Sequence, residues 1–309
     1  WLLVTKTKRP FEEYLRSFLQ YLCEVVDETY NYSEKDTWML FEFIDNWLDL
    51  VPREKTTFLG AVNSLSGIIL LNSWKLTNWI GFEILCGKYF EAIRNLRFIF
   101  EGSVYAVIVE DAIERVVFRH WGSLSRIDLK TEIFKLLEEC RRKRVYRNGK
   151  IDKERIRKIV EPFVKQNIHP SKTNQVDKYI EVYAEILSDT RLYLSVGKMI
   201  NEAAKHLKLK EKDIEDLSRT WHELSRYLHF SYPFLEAILD DPEFLIIEKV
   251  NSKLFKKSLD FYFKTLDFFY TVLAWRFPQL EMKIREVIEW WRKKFNKTFR
   301  LTEQFLGSL

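Results

Sequence analysis

A chain of 309 residues, 47% hydrophobic and 16% aromatic, can bury a large core in one or two domains. Its 50 Lys or Arg against 45 Asp or Glu leave a net charge of +5, so any strong field must be local. Only nine glycines and seven prolines leave little room for many β-turns, and apolar residues recur at three- and four-residue steps. An all-α fold is predicted, a multi-helix globular bundle.

Cys23, Cys86 and Cys140 are far apart and form no CxxC pair, which points away from a zinc ribbon or a disulfide framework. A reducing, cytoplasmic setting is expected. The apolar run 1–4 is too short for a signal peptide. Abundant Lys, Glu, Ile and Tyr with five Gln is the composition of heat-adapted organisms.

In chain order, residues 9–31 read as an amphipathic helix, with Pro10 near its start and Glu12 and Glu13 in its first turn. Residues 34–49 read as a second, stopped near Pro52, with Trp38, Phe41, Phe43 and Trp47 as core. Residues 56–74 carry no charge, but Asn63, Asn72, three serines and two glycines favour a helix buried in a soluble core over a membrane span. In residues 98–109 the one charge is Glu101, in a run apolar on every side. A carboxylate there needs a partner. Arg97, four residues back, can meet it along the helix, with Arg94 one turn earlier. A histidine or arginine from another helix is the other candidate, with His229 or Arg226 named for it.

Residues 139–158 hold ten Lys or Arg against three acids, a local charge of +7 in a chain of +5. Such a patch is the footprint of a polyanion partner, RNA or DNA. Arg141, Arg142, Lys143, Arg144, Arg147, Lys150, Arg155, Arg157 and Lys158 would hold phosphates. Tyr146, beside the turn Asn148–Gly149, would stack a base. The competing reading is two solvated helices joined by a turn. Residues 163–175 read as a loop, 176–207 as helix broken near 188–189, 244–277 as a long aromatic helix, and 281–299 as the last helix. Trp290 and Trp291 beside Arg292, Lys293 and Lys294 would suit a membrane surface. An amphipathic helix with one Trp in the core is the reading preferred.

The most unusual chemistry lies in residues 216–233. There Arg219, His222, Arg226 and His229 recur at steps of three, four and three, one side of a helix. Ile214, Leu217, Trp221, Leu224 and Leu228 form an adjacent apolar stripe. A solvated helix back explains the row. So does proton transfer beside an anion, since His titrates near neutrality.

Gly87, Tyr89, Ala92, Leu96, Arg97 and Glu101 spell GxYxxAxxxLRxxxE, and Trp221, Leu224, Ser225 and His229 follow a YxxLSxxxH pattern with Trp for Tyr. This pairing resembles a loosely defined group of helical proteins common in archaea, some placed near abortive-infection proteins and HEPN-type ribonucleases. The resemblance covers about a tenth of the chain and implies a helical, RNA-directed protein of defence or toxin type. HEPN ribonucleases place His four to six residues after an Arg and a polar residue. Here His229 and His222 each follow their Arg by three, and Arg115–His120, which fits the count, has apolar Val116 next.

Phosphate-cradling glycine loops, HExxH and GxSxG are absent, so no cofactor is expected. His222 and His229 lie about 10 Å apart along a helix, too far to share a metal. The organisation expected is an N-terminal helical part of one core (1–130), a basic helical excursion (131–172) and a C-terminal part of the same core (173–309). The function expected is a nucleic-acid-directed protein, in the bolder version a metal-independent ribonuclease. His229 or His222 would be its base, Arg219 and Arg226 the phosphate clamps, and Arg97 and Glu101 the supporting pair. The alternative is a non-enzymatic subunit that binds nucleic acid or protein, or a second copy of itself, through the basic excursion.

Overall fold

The computed structural model describes residues 11–50, 65–119, 136, 139, 140, 142, 143, 145–147, 150–167, 175–189, 196–228 and 250–307, and every structural statement below concerns these. They are mostly α-helical, with one short hairpin and a 3-10 turn at Pro278–Leu280. The helices are α1 (Phe11–Tyr32), α2 (Glu34–Leu50), α3 (Leu65–Leu85), α4 (Tyr89–Arg119), α5 (Lys153–Asn167), α6 (Val176–Asp189), α7 (Val196–His206), α8 (Glu211–Leu228), α9 (Ser252–Arg276), α10 (Glu281–Phe295) and α11 (Arg300–Gly307). Strands β1 (Tyr146–Arg147) and β2 (Lys150–Ile151) pair antiparallel before α5, in the register Tyr146↔Ile151 and Arg147↔Lys150. That register leaves two connecting residues, Asn148 and Gly149 in sequence, the pair that best suits a tight hairpin. Among the described residues no helix is long and apolar enough to cross a membrane.

The chain divides into two compact units. One is built from Trp1–Val51, Leu76–Arg97 and Glu223–Lys264, the other from Pro52–Lys75, Phe98–His222 and Thr265–Leu309.

In the first unit α1 packs on α2. Between them Ser33 hydrogen-bonds Asp36 at 2.9 Å, and Thr37 N donates to Ser33 O, which starts α2. Thr29 Oγ1 donates to Leu85 O at 3.1 Å and Tyr262 OH to Thr77 O at 3.0 Å, tying α1 and α9 to α3. The ring of Phe255 meets Tyr32 and Tyr89 edge-on. Helix α3 ends where Gly87 takes φ 72°. Lys88 N reaches Glu83 O and Gly87 N reaches Ile84 O, a Schellman stop that needs a left-handed residue. Gly87, Tyr89, Ala92 and Leu96 of the GxYxxAxxxL pattern are thus a helix stop and three buried side chains.

In the second unit α4 approaches α3 closely at Gly102, where a Cβ would stand 3.0 Å from the Ile69 side chain. Trp74 packs on Phe269 and Tyr270, and Tyr270 on Phe299. Asp267 of α9 accepts from the amides of Leu301 and Thr302, both at 2.9 Å, and so caps α11 from a different helix. Trp291 is fully buried and Trp290 half-buried, while Arg292 pairs with Glu303 and Lys293 with Glu289. One Trp of that pair is therefore core, and two of its three neighbouring cations hold carboxylates.

Two element ends differ from the sequence reading. Helix α5 runs through Pro162 to Asn167, where a loop was expected from 163, because Phe163 and Val164 extend its buried stripe. The last expected helix, 281–299, ends at Phe295 because Asn296 adopts φ 56°, and α11 follows beyond it as a helix the sequence reading did not include.

Candidate nucleic-acid interface

The basic segment is anchored by its own apolar residues. Leu136, Cys140, Val145, Ile156, Val160 and Val164 are buried in a cluster with the end of α4 and with α6. Burial pushes the Cys140 thiol up to about 12, which makes it an inert core residue. Helix α5 begins at Asp152, whose Oδ1 accepts from Arg155 N at 3.0 Å while its carbonyl accepts from Ile156 N. With Ile156, Ile159, Val160, Phe163 and Val164 facing the core, the spacing sends the cations outward. Lys153 and Arg157 fall on one flank of the exposed face, and Arg155 and Lys158 on the other. All four are exposed, and none has an ion-pair partner among the described residues.

Two nearby carboxylates are engaged by other cations. Glu139 holds Arg142 through two hydrogen bonds of 2.9 and 2.8 Å, and Lys143 at 3.1 Å. Those bonds, that of Arg142 first, hold its carboxyl below the usual range. Glu161 pairs with Lys165 at 2.6 Å. Exposed Arg142 and Lys143 therefore already carry a local counter-charge, as does Lys165 of α5. Tyr146, Arg147 and Lys150 lie on the hairpin backbone, and nothing is described of their side chains. Arg141 and Arg144 fall outside the described residues.

The second expected cluster is partly placed. Helix α8 carries Arg219, His222 and Arg226, all exposed. Arg219 lies 3.7 Å from Asp216, one turn back. Glu101 is half-buried on α4, and Trp221 Nε1 donates to its Oε1 at 3.0 Å. The ring of Trp221 stands 4.9 Å from that of His222. Glu101 thus grips α8 by the indole next to the histidine. Arg97 is half-buried on α4, and His229 lies outside the described residues.

Sequence reasoning missed a different grouping. His206, at the end of α7, lies with Nδ1 3.3 Å from Asp111 Oδ1, and Asp111 also binds Arg115 at 2.9 Å. His206 lines a pocket of about 540 Å³ that includes Trp275. The signal available was Lys205–His206 at a helix C-terminus, where cations are common for reasons of the helix dipole alone. Among the described residues no group of His, Cys, Asp and Glu could hold a metal ion. Comparison of the chain with models of known protein families, with curated proteins and with solved structures found no match.

Proposed function

We propose that this protein binds nucleic acid, RNA before DNA, through the exposed face of α5 and the hairpin that precedes it. The observation that carries the reading is the position of Lys153, Arg155, Arg157 and Lys158. They project from a helix whose other face is locked into a core, and no described carboxylate pairs with them. Cations held on a rigid scaffold without a close ion-pair partner release ions when they meet phosphates, the main source of affinity for nucleic acid. Tyr146 on the adjoining hairpin is suited to stacking an unpaired base. The resemblance to helical proteins near the HEPN ribonucleases points the same way. The test is fluorescence anisotropy with single-stranded RNA and DNA of equal length, on wild type and Arg155→Ala/Lys158→Ala. Weaker binding by the variant is expected. Equal affinity overturns the reading.

A cleaving version has one observation in its favour. His222 is exposed one turn from Arg219, on a helix that Glu101 grips through the adjacent Trp221. In that version an imidazole takes the ribose 2′-hydroxyl proton and the arginine holds the phosphate. RNA incubated in EDTA with wild type, His222→Ala and His229→Ala decides it. Cleavage lost in either variant supports the ribonuclease, and its absence in all three leaves a binding protein.

A further inference from the structure

The pocket at the α7–α8 junction lies in the second unit, and the proposal above does not use it. Its lining has two chemistries. The α7–α8 junction contributes His206, Lys208 and Lys210, and α9 and α11 contribute Trp275, Gln304 and Phe305. Its volume, about 540 Å³, lies in the range of sites that enclose a small organic ligand.

The cationic side is built at a conformational cost. Lys208 N donates to Lys205 O and Leu209 N to Ala204 O, the two bonds of a Schellman stop. The residue between them must be left-handed, and Lys208 takes φ 53° in a place that glycine occupies without strain. A strained side chain at a pocket rim is a reason to look for a ligand there. Lys208 and Lys210 are exposed and have no ion-pair partner among the described residues. Three of the nearby acids are taken up: Arg300 pairs with Asp213 and Asp216, and Lys205 with Glu202. Asp111 holds His206 by Nδ1, which turns the Nε2 edge to other partners.

The α9 and α11 residues supply flat apolar surface and one amide. Trp275 and Phe305 are half-buried, so part of each ring is left uncovered by protein. Gln304 offers both a donor and an acceptor within the same lining. Two lysines and an imidazole suit phosphate oxygens; an indole, a phenyl ring and an amide suit a planar heterocycle with polar edges.

We propose that this pocket binds a nucleoside phosphate, with the phosphate held by Lys208, Lys210 and His206 and the base against Trp275 and Phe305. The site stands apart from the α5 face and does not depend on it. The test is calorimetric titration of the full chain with adenosine 5′-monophosphate and guanosine 5′-monophosphate, and separately with adenosine and with inorganic phosphate. A nucleotide is expected to bind at least about tenfold more tightly than either half alone, the gain of adding charge-assisted bonds to stacking. Lys208→Gly/Lys210→Ala is expected to lose about tenfold or more while melting no lower than wild type, because glycine relieves the left-handed strain. Arg155→Ala/Lys158→Ala is expected to keep full nucleotide affinity. No binding of either nucleotide by wild type, phosphate bound as tightly as nucleotide, or undiminished binding by the double lysine variant would each overturn the proposal.

Discussion

The indole N–H of Trp221 donates to Glu101 across 120 residues of sequence, at 3.0 Å. A half-buried carboxylate on α4 thereby fixes the register of α8, and with it the exposed His222 next door. Trp221→Phe removes the donor while keeping the ring, and should cost about 1–3 kcal/mol in urea unfolding, the usual penalty for leaving a charged acceptor short of a bond. Glu101→Gln keeps an acceptor oxygen and should cost less. A cycle on the two positions that shows no coupling would contradict this role.

Arg276 binds Glu110 at 2.5 Å, and Glu110 is only 5% exposed. Arg276→Met removes the cation bound to a buried carboxylate and is expected to cost about 3–5 kcal/mol. Adding Glu110→Leu should recover most of that loss, since two apolar side chains of similar volume replace a desolvated pair. Chemical denaturation of the single and double variants checks this.

Burial pushes Asp267 up to about 6 from its ordinary 3.8, against the bonds from Leu301 and Thr302. The folded chain therefore holds this proton more tightly than the unfolded one. The stability this contributes is fully present below pH 3.8 and is lost as the pH rises through about 6, roughly 3 kcal/mol at most. The stability of wild type minus that of Asp267→Asn should fall across that window. A difference that climbs with pH would contradict the raised value.

Lys208 sits left-handed at the end of α7. Lys208→Gly alone should stabilise the chain by about 1 kcal/mol, the strain of a non-glycine residue in that conformation. Unchanged or lower stability would mean that the lysine side chain is itself a structural contact.

Much of the fold was legible in the residues. Apolar steps of three and four gave the helices, whereas the stop at Gly87, with φ 72°, came from the structure. The loop read from 163, on the strength of His169–Pro170, begins too early because a buried stripe carries the helix through Phe163 and Val164 to Asn167. Asn296 was a weaker stop signal than glycine, so the helix was read to 299 where it ends at Phe295. At the candidate site, the need of Glu101 for a partner followed from its apolar surroundings. The identity of that partner did not, since Trp221 scored as an apolar stripe residue and its single N–H is invisible to hydrophobic patterning. The His206–Asp111 contact joins α7 to α4 over 95 residues, and no spacing rule links such positions.

The central claim is that the α5 cations are there for phosphates. The most direct measurement is RNA affinity against salt concentration for wild type and Arg155→Ala/Arg157→Ala/Lys158→Ala. If the three side chains neutralise phosphates, the slope of log affinity against log salt should become shallower by about 2. An identical slope in the two proteins would contradict the account.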